Sequence, residues 1–239
     1  MSRVISWFSC GAASAVATIL AAKKYKNIEA VYCRVEEEHP DNLRFLEEFQ
    51  VKTGIRVSVI RDEQHHGSIY QVFEKRGFIK NQYGAPCTMI LKKNVRKAYQ
   101  RPGDIQIFGY TADEQDRADL FIDANNEVTE DFILIDNGIK KQECYSHLQQ
   151  RGIELPVMYR LGYNNNNCVG CVKGGMGYWN KIRKDFPVQF YRMAKLERRI
   201  GHAINKDKKG PVYLNELDPK RGRFKTDAPA DCGFTCEHR

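Results

Sequence analysis

The sequence has no long apolar run, no internal repeat and no Walker motif. No stretch approaches the roughly 20 apolar residues that span a bilayer, so we expect no membrane association. The GxxxxGK(S/T) spacing is absent, which excludes an ordinary P-loop NTPase. The first residues enter an apolar strand without the layout of a signal peptide, and from this we expect a cytoplasmic protein.

The composition is that of an ordinary globular protein. The chain has 239 residues, of which 42% are hydrophobic and 28% are charged. This length allows one α/β core with a small appendage. Eight cysteines are present. In a reducing compartment we expect them to be free, catalytic or metal-bound rather than paired in disulfides.

Positive charge is concentrated in the C-terminal third. The formal net charge is +8, and residues 181–225 contain 14 Lys and Arg against 5 Asp and Glu. That region therefore carries a net charge of +9 and the rest of the chain −1. Such asymmetry is typical of a surface that binds a polyanion, so we predict a DNA or RNA partner. A solvated helix face is the alternative interpretation.

Strand-like and helical patterns alternate through the first two thirds of the chain. Strands are expected near residues 4–8, 28–34, 55–60, 105–109 and 129–135, and helices near 14–25, 42–52, 89–99 and 141–151. This alternation predicts an α/β fold with a doubly wound parallel sheet over residues 1–160. Residues 161–239 are expected to form a basic extension that contains a helix pair interrupted by Pro187 and a loosely built tail.

The turn after the first strand is built from Ser9, Cys10, Gly11, Ala12, Ala13 and Ser14. Small residues let the backbone approach a ligand closely, and the start of a helix favours phosphate. In parallel sheets ligands bind beyond the carboxyl ends of the strands, where this turn lies. We therefore predict that nucleotide phosphates bind over these residues. A plain strand–turn–helix start would have a similar sequence.

Four segments carry a family resemblance. Ser9, Gly11 and Ser14 match an SGGxDS-type loop, in which Cys10 replaces the first glycine and Ala13 the acid. Segments 31–40, 85–93 and 109–117 are similar to an acidic loop, a cysteine–threonine loop and a G-x-R-A-D-E-S-x-R loop. Over about residues 3–200 the chain thus resembles the PAPS-reductase-like, PP-loop ATP-pyrophosphatase superfamily, whose fold is adenine nucleotide alpha hydrolase-like. Residues 161–187 resemble its DNA-phosphorothioation branch.

The resemblance implies a nucleotide site that binds ATP, or PAPS, with Mg²⁺. It assigns Glu36 and Lys92 to nucleotide binding beside the loop, and Asp113, Glu114 and Arg117 to catalysis. Because Ala13 replaces an acid, either Glu36, Glu37 or Asp113 supplies the missing charge, or ATP hydrolysis is weakened. Mg²⁺ needs only one or two carboxylates besides phosphate oxygens, so one substitute acid would suffice.

The later cysteines predict a metal or redox site. Cys168 and Cys171 form a C-x-x-C, and four thiolates complete an iron–sulfur or zinc site. We expect Cys87, Cys168 and Cys171 with either Cys232 or Cys236, and the resemblance favours a 4Fe–4S cluster over zinc. We assign Cys236 as the ligand. Cys232 is assigned as the nucleophile, because residues 231–234 loosely resemble the C-terminal cysteine motif of PAPS reductases. Unligated thiols in turns are the alternative.

The function predicted from these features is ATP-dependent activation of a substrate for sulfur transfer, in DNA phosphorothioation. A cysteine desulfurase is the expected sulfur donor. Three alternatives stay open: a PAPS or APS sulfonucleotide reductase, a tRNA thiolation enzyme, and a non-catalytic module that binds nucleotides or nucleic acid. The sequence does not define the oligomeric state.

Overall fold

We describe a computed structural model of the protein, which covers residues 2–230 and residue 232. Within that part of the chain, no helix is both long and apolar enough to cross a membrane. The chain divides into two units. The sheet unit comprises the chain up to Arg34 together with Pro40–Arg61 and Val95–Gly162. The cysteine unit comprises Val35–His39, Asp62–Asn94 and the chain from Tyr163 onward.

Seven strands and twelve α-helices lie in the described residues. The strands are β1 (Val4–Phe8), β2 (Ile28–Cys33), β3 (Val57–Ile60), β4 (Ile105–Ile107), β5 (Thr129–Asp131), β6 (Asn205–Asp207) and β7 (Gly210–Val212). The helices are α1 (Ala12–Lys24), α2 (Asp41–Thr53), α3 (Ile69–Arg76), α4 (Pro86–Thr88), α5 (Asn94–Tyr99), α6 (Gln115–Ala124), α7 (Ile133–Asp136), α8 (Lys141–Gln149), α9 (Val157–Arg160), α10 (Met176–Asp185), α11 (Pro187–Ile200) and α12 (Phe224–Asp227). A π-helix spans Met89–Lys93, and 3₁₀ turns span Ala112–Glu114 and Leu214–Glu216.

The sheet unit is built on five parallel strands in the order β3-β2-β1-β4-β5. Helices flank the sheet, so the predicted α/β fold is confirmed. The order of the strands reverses at β1, with β2 on one side of it and β4 on the other. Ligands of open α/β sheets bind at such a switch point, beyond the carboxyl ends of the strands. The turn after β1 lies at this position.

Small residues let α1 pack closely on the sheet. Five of its alanines are buried, and the hydroxyls of Ser6 on β1 and Thr18 on α1 share a hydrogen bond of 2.8 Å. Thr18 also has its Oγ1 2.8 Å from the carbonyl oxygen of Ser14. These contacts fix the start of α1 relative to the end of β1, which positions the turn between them.

Two predicted elements differ from the observed ones. The apolar run 132–135 predicts the continuation of a strand, but β5 ends at Asp131 and α7 follows. Asp131 accepts hydrogen bonds from Lys24 Nζ and Tyr25 Oη, and Ile133 and Leu134 join the hydrophobic core. The predicted helix 89–99 is divided into a π-helix and α5. Such π-helical turns are rare in proteins, and those that occur are frequently found at functional sites.

The cysteine unit packs around α10 and α11. Trp179 of α10 and Phe190 of α11 are buried, with ring centroids 6.3 Å apart. The buried Glu197 accepts hydrogen bonds from the N–H groups of Ile204 and Leu214, at 2.6 and 2.7 Å. Those bonds order the chain after α11, where the sequence pattern indicates a loosely built tail. The division predicted near residue 160 lies close to the Gly162–Tyr163 boundary, but two earlier segments also belong to the cysteine unit.

Candidate nucleotide loop and cysteine cluster

The turn between β1 and α1 is closed by its two serines. Ser14 Oγ accepts hydrogen bonds from the N–H and the hydroxyl of Ser9, both at 3.0 Å, and donates to the carbonyl of Gly11 at 3.0 Å. The first N–H groups of a helix have no partner within the helix and carry its positive dipole end. The closed turn therefore holds the backbone donors of α1 in a fixed arrangement suited to an anion.

Cys10 occupies a backbone conformation that favours glycine. Its φ is 55°, in the left-handed region, which costs a non-glycine residue roughly 1 kcal/mol. The side chain is fully buried and its Sγ lies 3.7 Å from the carbonyl oxygen of Asn42. A glycine would relieve the backbone strain here, which agrees with the position of the replaced glycine in the SGGxDS-type pattern.

Two glycines keep the space around the turn narrow. A Cβ on Gly109, which follows β4, would lie 2.6 Å from the backbone nitrogen of Ser14. A Cβ on Gly11 would lie 3.3 Å from both Ser9 Oγ and Tyr159 Oη. Tyr159 also accepts a hydrogen bond from the N–H of Ala12 at 3.4 Å. Sequence reasoning missed Tyr159, because it is distant in sequence and belongs to no recognised motif.

The three residues predicted to be catalytic belong to the loop and helix after β4. Glu114 accepts hydrogen bonds from the N–H and hydroxyl of Thr111, which caps the 3₁₀ turn, and forms an ion pair with Arg117. The guanidinium of Arg117 lies over the ring of Tyr110, 5.4 Å from its centroid. Asp113 is exposed. Glu114 and Arg117 therefore stabilise this loop, and Asp113 is the carboxylate that faces solvent.

The acidic residues after β2 have separate roles. Glu36 is exposed, whereas Glu37 accepts hydrogen bonds from the hydroxyl of Ser68 at 2.7 Å and the N–H of Ile69 at 2.9 Å, at the start of α3. Burial raises the pKa of Glu37, although these two hydrogen bonds oppose the shift. Of the acids considered as substitutes for the one missing at Ala13, Glu37 is thus engaged in capping, while Glu36 and Asp113 are exposed.

The cysteine unit brings four cysteines together: Cys87 from α4, Cys168 and Cys171 from the C-x-x-C loop, and Cys232. Burial raises the pKa of Cys87 to about 12, and negative charge on Cys232 and Cys171 adds to the shift. Burial likewise raises the pKa of Cys171 to about 11 and that of Cys168 well above its usual value. These three thiols are therefore protonated near neutral pH in the metal-free protein.

Two lysines and a hydroxyl lie against Cys232. Lys173 Nζ is 3.8 Å from Cys232 Sγ, and Thr88 Oγ1 is 3.7 Å from the same sulfur. Lys92 donates to the carbonyl of Cys232 at 3.2 Å and pairs with the buried Glu38 at 3.2 Å. Burial would lower the pKa of both lysines, but in each the negative charges nearby prevail and the pKa is raised. Lys92, predicted to bind nucleotide, therefore has contacts of its own in the cysteine unit.

The C-x-x-C loop is shaped by Tyr178 and Trp179. The Tyr178 hydroxyl accepts a hydrogen bond from the N–H of Cys171 at 2.9 Å and lies 3.4 Å from the carbonyl oxygen of Cys168. Gly170 has a φ of 78°, and a Cβ there would lie 3.0 Å from the Trp179 ring. A Cβ on Gly174 would overlap the Tyr178 ring at 2.1 Å. The loop thus needs its glycines to fold over these aromatic residues.

The asparagine run 164–167 holds the segment that leads to Cys232. Asn167 donates to the carbonyl of Ala230 at 2.9 Å and accepts from the N–H of Cys232 at 2.8 Å. Asn165 donates to the carbonyl of Pro229 at 3.0 Å. The sequence pattern alone indicates no more than a polar break here. Its amide groups instead bind the segment in the manner of a neighbouring strand, and place Cys232 in the cluster.

The donor chemistry of the four cysteines suits soft metals. Within residues 2–230 and 232, no group of three or more His, Cys, Asp or Glu side chains is placed to hold a metal ion. Cys236, the predicted fourth ligand, lies outside the described residues. The assignment of Cys87, Cys168, Cys171 and a fourth cysteine as metal ligands stays a prediction.

Several arginines of the basic region are engaged in internal contacts. Arg183 donates to the carbonyls of Leu214 and Leu217, at 3.1 and 2.7 Å. Three other arginines form ion pairs: Arg198 with Glu216, Arg199 with Glu74, and Arg221 with Asp207. Among the described residues, the exposed Lys208 and Lys209 have no ion-pair partner. They lie in the turn between β6 and β7, where their positive charges are available to a polyanion.

The chain combines a parallel sheet, which has a turn of small residues at its switch point, with a buried group of cysteines. These features define an α/β protein of the nucleotide-binding, sulfur-related class. The phosphoadenosine phosphosulfate reductase domain matches residues 3–174, and the chain belongs to this family. The predicted membership of the PAPS-reductase-like superfamily is thereby confirmed. The match covers the loop, Cys87 and the C-x-x-C, whereas Cys232 lies beyond it.

Proteins similar to this chain include a curated protein and two solved structures. An uncharacterized protein of Methanocaldococcus jannaschii is 21% identical over 229 residues, and the chain spans about half of its length, 53%. The PAPS reductase of Candida auris in complex with phosphate aligns with a TM-score of 0.49 and 8% identity, over 69% of this chain and 80% of that one. The U34-tRNA thiolase NcsA of Methanococcus maripaludis, with its 4Fe–4S cluster, aligns with a TM-score of 0.48 and 15% identity, over 87% and 74%.

Proposed function

We propose that this protein activates a nucleic acid with ATP and then transfers sulfur to it, with DNA phosphorothioation as the reaction. The observation that carries the proposal is the environment of Cys232. This cysteine lies among three protonated thiols and beside Lys173, in a chain that also holds a phosphate-type turn. A cation next to one thiol favours the thiolate, which is the reactive form in sulfur chemistry.

The first step is adenylation of the acceptor. A non-bridging oxygen of a DNA phosphodiester attacks the α-phosphorus of ATP, the new oxygen–phosphorus bond forms, and pyrophosphate leaves with the electron pair of the broken bond. The backbone donors at the start of α1 hold the phosphates, and Mg²⁺ offsets their charge when it is bound. Asp113, an exposed acid of the sheet unit, would hold that ion. No protein group needs to accept a proton in this step.

The second step moves sulfur from Cys232. A desulfurase-type donor loads it as a persulfide, whose terminal sulfur attacks the activated phosphorus while AMP leaves. The thiol of a neighbouring cysteine then loses its proton to solvent and attacks the Cys232 sulfur. The sulfur–sulfur bond breaks, its electron pair stays on the phosphorothioate, and the two cysteines form a disulfide. An external dithiol reduces that disulfide and returns both cysteines to the thiol state.

A sulfonucleotide reductase is the second candidate, because the same thiolate could attack the sulfonate sulfur of PAPS. Cys232 would then form a thiosulfonate with release of the adenosine bisphosphate, and a thioredoxin-type dithiol would displace sulfite. Family membership and the Lys173 contact favour this interpretation equally. A tRNA thiolation enzyme is the third candidate, in which a tRNA base is the activated acceptor and receives the sulfur.

The experiment that separates these candidates measures three products with the purified protein. Radioactive pyrophosphate exchange into ATP in the presence of DNA or tRNA reports adenylation, sulfite release from PAPS reports reduction, and labelled sulfur in the nucleic acid reports transfer. Cys232→Ser should abolish the last two. Cys33→Ala, a buried cysteine of the sheet unit, serves as the matched control and should leave all three unchanged. Exchange without sulfur transfer under any donor would contradict the proposal.

The loop has its own test. Gly11→Val places methyl groups where a Cβ alone is already 3.3 Å from Ser9 Oγ and Tyr159 Oη. We expect this variant to keep its fold by circular dichroism and to lose ATP and PAPS binding in calorimetric titration. Unchanged affinity would show that the nucleotide does not bind at this turn.

Metal content is a separate part of the proposal. Cys87, Cys168, Cys171 and a fourth cysteine, Cys232 or Cys236, are the thiolate donors that would hold a 4Fe–4S cluster or zinc. Anaerobic purification followed by iron, sulfide and zinc analysis decides between them. Stoichiometric iron and sulfide would favour a cluster-based route over the persulfide route. Activity of a metal-free protein would support the persulfide route.

A further inference from the structure

A cavity of about 720 Å³ lies in the cysteine unit and has no part in the proposed sulfur chemistry. Its walls are the segment 80–83, the loop 201–206 that follows α11, and Pro211 of β7. The volume is large enough for a planar heterocycle with its sugar, because small-ligand sites are typically of this size. The lining combines amide groups, lysines and one exposed aromatic ring.

One wall is a tight turn that presents Tyr83. The N–H of Asn81 donates to the carbonyl of Gly84 at 2.9 Å, and the N–H of Gly84 donates back to Asn81 at 3.2 Å. The Asn81 side chain accepts from the N–H of Tyr83 at 2.8 Å. With its backbone held in this way, the turn leaves Tyr83 62% exposed at the cavity. A fixed, exposed aromatic ring is a stacking surface for a base.

The other wall, residues 201–206, is held by Glu197. This residue accepts from the N–H of Ile204 through its side chain and from the N–H of His202 through its carbonyl. Lys206, which is exposed on this wall, therefore has an ordered backbone next to it.

The charge around the cavity is positive. Lys80 and Lys206 line it, and Lys208 and Lys209 follow in the adjoining turn between β6 and β7. Burial lowers the pKa of Lys80, while negative charge on Cys171 and Glu197 opposes that shift. Lys80 therefore lies within electrostatic reach of the cysteine cluster. The exposed lysines are suited to the phosphates of a strand that crosses the mouth of the cavity.

We propose that this cavity receives one unstacked base of a single-stranded nucleic acid. Tyr83 stacks on the base, and Lys206 with Lys208 contacts the neighbouring phosphates. The inference deepens the proposed function, on which it rests, because it makes the acceptor a single-stranded segment held near the cysteines.

The test measures binding rather than sulfur transfer. Fluorescence anisotropy with labelled single-stranded DNA, single-stranded RNA and a blunt duplex should show tighter binding of single strands, and the two single-stranded arms identify the polymer. Tyr83→Ala should weaken single-strand binding roughly tenfold, as expected for loss of one stacked base. Lys206→Ala should also weaken it. Tyr191→Ala, which removes an equally exposed tyrosine of α11 outside the cavity, is the control and should have little effect.

A second measurement locates the base directly. Photocrosslinking with an oligonucleotide that contains 5-iodouracil should attach it to Tyr83, and Lys206→Ala should reduce the yield. Unchanged affinity in both cavity variants, or preference for the duplex, would overturn the cavity assignment while leaving the sulfur chemistry untouched. Normal oligonucleotide binding without any sulfur transfer would instead contradict the proposed function and leave the cavity assignment in place.

Discussion

Lys173 Nζ lies 3.8 Å from Cys232 Sγ, so a lysine ammonium group directly contacts a sulfur of the cysteine cluster. Negative charge on Cys232 is the main influence that holds the pKa of Lys173 up against burial. The relationship is reciprocal, because a cation that is stabilised by a thiolate also stabilises that thiolate. The pair therefore distinguishes Cys232 chemically from its neighbours.

Removing that cation should slow the reactions of Cys232. Lys173→Met keeps much of the aliphatic stem and loses the charge, so we expect alkylation of Cys232 by iodoacetamide near neutral pH to fall roughly tenfold, which corresponds to about one pKa unit. Quantitative mass spectrometry of the modified peptide measures the rate. Lys225→Met removes an exposed lysine elsewhere in the cysteine unit and should leave the rate unchanged. Equal rates in both variants would mean that Lys173 has only a structural role.

The asparagine contacts should control whether Cys232 stays in the cluster. Asn167→Ala removes the hydrogen bonds to Ala230 and Cys232, so we expect faster hydrogen exchange of the Cys232 amide and a Cys232 thiol more accessible to a bulky disulfide reagent. Asn126→Ala, at an exposed position of the sheet unit, should change neither. Protection of the Cys232 amide in Asn167→Ala equal to that in the wild type would show that other contacts hold it.

Glu197 should make stability depend on pH. Burial raises its pKa to about 7 from an ordinary 4.5, so between these values the folded protein binds more protons than the unfolded chain. The free energy of unfolding therefore falls as the pH rises through this window, by up to about 3 kcal/mol from this group. Urea unfolding at several pH values measures the slope. Glu197→Gln should flatten it, and Glu47→Gln should not. A wild-type stability that rises across the window, with no difference in Glu197→Gln, would contradict the assignment.

The exposed lysines should dominate the salt dependence of nucleic-acid binding. Each phosphate contact on a single strand contributes about 0.7 to the slope of log K against log salt, so Lys208→Ala with Lys209→Ala should reduce the slope by up to about 1.4. Arg198→Ala with Arg199→Ala should reduce it less, because those arginines pair with Glu216 and Glu74. Salt titrations of both double variants give the comparison. A larger loss in the arginine variant would reverse this interpretation.

Local patterns in the sequence are sufficient to predict the sheet and its first turn. Residues 4–8 and 28–33 are apolar runs bounded by turns. The small residues 9–14 are typical of a turn whose backbone approaches a ligand closely. The run 132–135 is ambiguous, because four apolar residues suit a buried strand or a short helix equally well. Its conformation is decided by the hydrogen bonds that Asp131 accepts from Lys24 of α1 and from Tyr25. The local pattern of residues 132–135 does not contain these contacts.

The neighbours of the cysteines are harder to predict because they come from distant parts of the chain. The spacing of Cys168 and Cys171 indicates a chelate or redox pair, but no spacing indicates that Asn167 holds Cys232 or that Tyr178 bridges the loop. Lys173 resembles any surface lysine in the sequence. Glu114 has a structural role that the family pattern does not indicate, because it caps a turn, and its assignment to catalysis stays a prediction.

The two units are interleaved along the chain, and this has a consequence for how the protein folds. Cys87 and Cys168 belong to the same unit, yet most of the sequence between them builds the other one. Contacts between such distant segments require closure of long loops, which slows folding and makes it dependent on prior order in the intervening chain. A fragment that starts at Tyr163 would keep three of the four cysteines but lose Cys87, Thr88 and Lys92. Excision of the cysteine unit as one contiguous piece is therefore ruled out, and an exchange of this unit between relatives would have to replace three separate stretches of chain together.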